Sequence, residues 1–170
     1  MKKNEFDMIY NAIKNRSNKE IKEIKKLYQA SIDGEVPSKF HTKCDNIPNT
    51  LIIIQSVGNR RFGGFTTQLW DTRSGYKDDK NAFLFSLDKK KIYPYKHDGK
   101  AIYCHLNFGP VFDKVITLYT RPLSKKDLWT NESSIESSYD FYGDNNALSE
   151  DGRLSKIQGV ECEVFQIIFY

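Results

Sequence analysis

From Thr50 to Tyr119 the chain is a succession of short apolar stretches, four to eight residues each, and most connections between them are too short to return a strand by a helical crossover. That spacing demands antiparallel neighbours. Thr50 to Ser56 and Arg61 to Gln68 flank the turn Val57-Gly58-Asn59-Arg60 and read as a hairpin. Ala82 to Leu87, Ile92 to Tyr95, Ala101 to Leu106 and Val115 to Tyr119 follow as further strands. Val160 to Tyr170 closes the series, with Val160, Cys162 and Val164 on one face and Glu161 and Glu163 on the other. The continuous run Leu51-Ile52-Ile53-Ile54 requires cover on both faces. The expected fold is mainly β (α+β): a two-layer antiparallel β-sandwich with a few flanking helices.

The first 30 residues have a different period. Phe6, Ile9 and Ile13 make one helical stripe, and Ile21, Ile24 and Leu27 another. Ser17 with Glu20 reads as a capping box that restarts a second helix from about Asn18, although Leu27 to Ile32 also alternates as a strand would. The resulting division is a helical segment over 1–17 and a sandwich domain over 18–170. Val36 to Cys44 is a third helix candidate, with Pro37 in its first turn and Phe40 and Cys44 on its buried face. Ser124 to Ser155 is polar and reads as long loops carrying at most short structure, the best place for mobility.

At 170 residues, with 39% hydrophobic and 14% aromatic content, the chain has the size and apolar content of one packed domain. No apolar run approaches the ~20 residues of a membrane-spanning helix, and the first residues lack the apolar stretch of a secretory leader. A cytoplasmic protein is expected. The net charge of +4 conceals a polarity: 10 basic and 6 acidic groups lie in residues 1–43, 14 and 7 in residues 44–126, and 2 and 9 in residues 127–170. Such a distribution favours steering to a complementary protein surface over nucleic-acid binding, which is therefore the less favoured reading.

No reaction centre is legible. Gly63-Gly64 lies inside a strand pattern, marks a close approach of another group, and cannot cradle a phosphate. His41 and Cys44 share a helical face, and Cys104-His105 supplies two more zinc-ligand types, but adjacent strand residues point apart, so neither a metal nor any other cofactor is expected. Cys44, Cys104 and Cys162 are three widely spaced thiols and give no disulfide framework. A thiol-dependent antioxidant or other enzyme using Cys44, Cys104, His41 or His105 is the alternative to a binding role. In the aromatic segment Phe62 to Lys77, alternation buries Phe62 or Phe65, and the loop from Asp71 to Asp79 is left exposed. Trp70, Arg73, Tyr76 and Lys77 are the candidate partner contacts, Trp70 and Tyr76 as interface anchors.

Several segments together resemble the TLDc domain, the family of oxidation-resistance proteins, in the manner of its protist or amoebal members. They are Leu27-Tyr28-Gln29-Ala30-Ser31-Ile32-Asp33-Gly34, Phe40-His41-Thr42-Lys43-Cys44-Asp45-Asn46, Thr50 to Ile54, Phe62-Gly63-Gly64-Phe65-Thr66 through Trp70, Ala82 to Leu87, and Ile157 to Gln166. Phe40, Asp45, Gly63, Gly64 and Phe165 are the motif positions with structural roles. The resemblance covers about residues 20 to 170. It implies a two-sheet sandwich, and a non-enzymatic interaction module linked to oxidative-stress resistance. It further implies binding and regulation of the vacuolar proton-pumping ATPase, hence a location at most peripheral to endomembranes through that partner. In Phe108-Gly109-Pro110-Val111-Phe112-Asp113-Lys114 the chain lacks the later glycines usual in the family, so this loop is expected to be stiffer and more charged.

Overall fold

The computed structural model describes residues 2–56, 58–118, 127–130, 137–144, 146–148 and 155–170. The elements are α1 (Lys3–Ser17), β1 (Ile21–Gln29), α2 (Ala30–Asp33), α3 (Pro37–Cys44), β2 (Thr50–Ser56), β3 (Arg61–Thr66), β4 (Gly75–Lys77), β5 (Phe83–Ser86), β6 (Lys91–Pro94), β7 (Ile102–Cys104), β8 (Val111–Phe112), β9 (Ile116–Leu118), β10 (Asp127–Thr130) and β11 (Ser155–Phe169). All the strand pairings are antiparallel, as the short connections required.

The long closing strand joins the two layers. Its first residues pair with β10, which continues through β9 to β8. Its remainder lies between β2 and β1, and the ladder runs on through β3 and β5 to β6. Ile52, Ile54, Phe62, Leu84, Cys162 and Val164 from one layer meet Phe112, Val115, Ile116 and Leu118 from the other in a single buried cluster. Trp70 and Phe40 complete it, their rings 5.6 Å apart and nearly perpendicular.

The Gly63-Gly64 pair allows this layering. A Cβ on Gly64 would stand 2.6 Å from the Phe112 ring of the facing layer, and one on Gly63 would stand 1.8 Å from the Ile52 carbonyl oxygen. Carbon atoms in contact prefer about 3.5 to 4.0 Å, so neither position admits a side chain without movement. The close approach expected from glycine within a strand is the arrangement found.

The sandwich carries a helix on its outer face. Ile9 and Ile13 of α1 pack on Leu51, Phe65, Phe83, Phe85, Leu87 and Ile167, a second cluster on the far side of the β2–β3–β5–β11 sheet. Leu51 therefore faces α1 and Ile52 the inter-layer core, the two-sided cover anticipated for this run. Arg61 fixes the start of the helix: its Nη2 lies 2.8 Å from Glu5 Oε1 and its Nη1 3.1 Å from Oε2, and Glu5 also accepts the Lys2 amide at 2.7 Å.

One sequence expectation is corrected here. The second helix from Asn18 is instead β1: Asn18 takes the left-handed conformation (φ 53°) and ends α1, Ser17 donates back to the Ile13 carbonyl at 2.8 Å, and Glu20 pairs with Lys14. Shifts of register at Ile21/Glu23 and Lys26/Tyr28 let spacings of three lie on one strand, and pairing with β11 outweighs the local helical preference of a Lys/Glu-rich segment. Within Leu27 to Ile32, strand holds to Gln29 and a helical turn follows. In Ser124 to Ser155, expected as loops with at most short structure, the four residues Asp127–Thr130 form a short strand between β9 and β11. Of the stretch expected to be mobile, 124–126, 131–136, 145 and 149–154 lie outside the described residues, as does the facing of the Val160 side chain.

Candidate interaction surface

Beside the sandwich lies a two-stranded ribbon, β4 with β7, in which Tyr76 sits directly opposite Tyr103. Alternation along β7 sends Ile102 and Cys104 into the core and Tyr103 outward. The ring of Tyr103 lies 4.8 Å from that of Tyr76, 6.1 Å from that of His105 in a stacked arrangement, and 6.4 Å from that of Phe108, and His105 and Phe108 are 5.0 Å apart. Four rings thus form one continuous surface. Tyr76 remains 41% exposed and Leu106 56% exposed at its border. The Lys100 ammonium stands 5.8 Å from the Tyr76 ring, and the Arg73 side chain is 86% exposed.

The ribbon is held from both ends. On the β4 side Asp71 accepts the Arg73 amide at 2.9 Å, the Arg73 guanidinium at 2.8 Å and the Lys77 ammonium at 2.8 Å. Burial pushes the Asp71 carboxyl up, but the hydrogen bonds from Arg73 and Lys77 outweigh it and hold the group down to about 2. Lys77 also donates to the Leu69 carbonyl, so it braces the turn from within.

On the β7 side the clamp is His41 of α3. Its Nδ1 lies 2.7 Å from Asp45 Oδ1, and its Nε2 lies 2.9 Å from the Phe108 carbonyl oxygen and 3.2 Å from that of His105. The helical spacing of four between His41 and Asp45 sets this geometry, which ties the loop carrying His105, Leu106 and Phe108 to α3. In the same loop the Gly109 amide donates to the Leu118 carbonyl at 2.8 Å and the Phe108 amide to that of His105 at 3.0 Å.

The four partner-contact residues named from sequence therefore separate. Arg73 and Tyr76 are on the surface. Lys77 is a brace. Trp70 is corrected outright: it is 1% exposed, its indole N–H donates to Thr50 Oγ1 at 2.8 Å, and Phe40 and Phe112 pack on its faces. An indole with a buried hydrogen-bond partner is a core residue. Sequence reasoning missed Tyr103, His105, Leu106 and Phe108, although the alternation of Ile102 and Cys104 against Tyr103 and His105 carried the signal. The motif positions are all placed: Phe40 is in the core, Asp45 orients His41, Gly63 and Gly64 allow close packing, and Phe165 lies on the α1 side of the sheet.

His41, Cys44, Cys104 and His105 do not converge. Both ring nitrogens of His41 face oxygen atoms, and among the described residues no group of three or more His, Cys, Asp or Glu side chains could share an ion. Cys44, Cys104 and Cys162 are buried free thiols. Burial, with the Asp45 and Asp33 charges adding to it, pushes Cys44 up to about 12. Burial likewise raises Cys104 and Cys162. A thiol raised in this way is mostly protonated at neutral pH.

No helix among the described residues is long and apolar enough to cross a membrane. No curated protein matches the chain. A family model, the TLDc domain, matches residues 1–168 and so takes in α1 as well as the sandwich; the chain belongs to the TLDc domain family.

Proposed function

We propose that this protein is a non-enzymatic interaction module of a family linked to oxidation resistance, and that it works by docking the ribbon's aromatic face on subunits of the vacuolar proton-pumping ATPase. The observation that carries the reading is the continuous surface of Tyr76, Tyr103, His105 and Phe108. Aromatic side chains bring large contact area at low entropic cost, and Arg73 and Lys100 beside them steer an acidic partner surface into place. The ribbon is braced by Asp71 and His41, so it meets a partner largely preorganised. Stress resistance on this reading is indirect, through the pump. A thiol-based antioxidant is less well supported, because the three thiols are buried and raised in pKa.

The test is binding of purified protein to the reconstituted soluble sector of the pump, measured by interferometry. Tyr76→Ala and Tyr103→Ala are expected to weaken binding at least tenfold with the melting temperature little changed. Undiminished binding by both variants would overturn the surface assignment, and no binding by the parent protein would overturn the partner. Rapid peroxide consumption by the purified protein would favour the enzymatic reading.

A further inference from the structure

A second surface feature lies on the other side of the six-stranded layer, and it is independent of the ribbon. Between α1 and the β1–β11–β2 sheet runs an open groove of about 160 Å³, lined by Phe6, Tyr10, Ile21, Ile24, Ile53 and Phe165 over a floor of Ile9, Ile13 and Leu51. Tyr10 contributes the only polar side-chain atom of that lining, and its hydroxyl sits 3.5 Å from Glu20. Phe6 and Ile24 stand on opposite walls, 38% and 37% exposed. The groove is recessed, which suits an inserted side chain better than a flat bilayer. A space near 150 Å³ takes about one benzene ring.

Its border is basic. Lys3 stands one helical turn before Phe6 on α1, the Lys19 ammonium lies 5.7 Å from the Phe169 ring and the Lys26 ammonium 5.5 Å from the Phe165 ring, and among the described residues neither Lys3 nor Lys19 forms an ion pair. Asp7 and Glu23 are the exposed carboxylates there without an ion pair; Glu20 is neutralised by Lys14, and Glu163 by Lys26. Lysines along β1, whose outer edge has no strand partner among the described residues, also discourage pairing of a foreign strand there. An occupant is thereby directed into the groove and away from the sheet edge.

We propose that this groove is a binding site for a bulky apolar side chain, of the size of Phe or Trp, presented by an acidic segment of a partner protein. The apolar recess supplies the anchor pocket and the lysines select the flanking charge. The probe is a synthetic peptide with one central Trp between runs of Glu and Asp, titrated into isotope-labelled full-length protein by NMR at low and moderate salt. Resonance shifts are expected at Phe6, Tyr10, Ile21, Ile24 and Phe165, with binding weakened by salt. Ile24→Asp and the pair Lys3→Glu with Lys19→Glu should each reduce affinity tenfold or more, while Tyr76→Ala leaves it unchanged; the altered sites are exposed, and unchanged amide spectra elsewhere would show the fold intact. The proposal is overturned if the Trp peptide fails to bind, if replacing its Trp by Ala or its acids by Lys makes no difference, or if Ile24→Asp binds normally. It is also overturned if vesicles rich in phosphatidylserine bind this face and the peptide does not compete with them, or if the shifts map to a second copy of the chain.

Discussion

Gly63→Ala and Gly64→Ala add the same methyl group to neighbouring positions of one strand, and the structure gives them different remedies. At Gly64 the obstacle is a side chain. The new Cβ would lie 2.6 Å from Phe112 Cζ, about 1 Å inside normal carbon contact, so the ring must retreat into a core that already holds Trp70 and Tyr139 against it. Overpacking of this kind costs about 1 to 3 kcal/mol. Phe112→Ala alone leaves a cavity and costs about 3 to 5 kcal/mol. Combined with Gly64→Ala it removes the clash, so the double variant should be more stable than the sum of the single losses by about 1 to 2 kcal/mol, the coupling expected of residues in contact. At Gly63 the obstacle is backbone: the Ile52 carbonyl oxygen, 1.8 Å from the new Cβ, cannot move without disturbing the β2–β3 ladder. Gly63→Ala should therefore be the more damaging variant, and Phe112→Ala should do nothing to restore it. Urea unfolding of the three single variants, the two double variants and the parent, followed by fluorescence and circular dichroism together, measures each term. Strict additivity of Gly64→Ala with Phe112→Ala, or equal restoration of Gly63→Ala, would refute the account of how the layers approach.

Arg61→Met should loosen α1, because the Glu5 carboxylate, 3% exposed, loses its guanidinium partner; a loss of about 2 to 4 kcal/mol is expected for a broken buried pair, read as the melting temperature at pH 7. The hydrogen bond from Arg61 holds the Glu5 carboxyl below its ordinary value of 4.5, so the pair's contribution is full above that pH and is lost as pH falls through the lower folded value. The parent should then lose more stability than Arg61→Met on acidification below 4.5, and parallel curves would count against the clamp. Ellman's reagent should label native Cys44 about three orders of magnitude more slowly at pH 7.4 than a free cysteine, since a thiol pushed up to about 12 is scarcely ionised there; labelling within seconds without denaturant would contradict the burial of the thiols. His41→Ala leaves the Phe108 and His105 carbonyls without their imidazole partner and should cost about 1 to 3 kcal/mol. It should also speed hydrogen exchange at the Phe108 and Gly109 amides; unchanged protection there would show that the loop does not depend on α3.

How much of this was legible from the residues depended on whether the signal was local. Alternation and turn spacing placed β2, β3, β5, β6, β7 and β9 because each such strand shows two faces to environments that differ, and the Leu51 to Ile54 run announced two apolar environments by having no polar face. The two short strands β4 and β8, three and two residues long, carry too few alternations to be read and lie in stretches expected as loops. The Gly63-Gly64 pair could be read because the absence of a side chain has few causes inside a strand. Ile21 to Gln29 could not be read in the same way. Its helical spacing arises from bulges, and what decides for strand is β11, more than 130 residues away, whose unsatisfied edge is a stronger demand than the propensity of a few Lys and Glu residues. Trp70 failed for a related reason. A tryptophan beside a charged loop looks like an interface anchor, and only the distant Thr50 hydroxyl shows that its N–H is already paired inside.

The two proposed surfaces rest on different cores, which makes them separable. Ile102 and Cys104 root the ribbon in the inter-layer cluster, whereas the groove is floored by Ile9, Ile13 and Leu51 of the cluster beneath α1. The β2–β3–β11 sheet stands between those clusters and contributes alternate residues to each, Ile52 and Ile54 inward, Leu51 and Phe165 outward. Substitutions confined to one cluster should accordingly leave the other surface's geometry in place, and their effects on stability should add. A sandwich that buries both faces of its central sheet can present two independently tunable contacts, and an adaptor joining two macromolecules needs that independence more than it needs a reactive pocket.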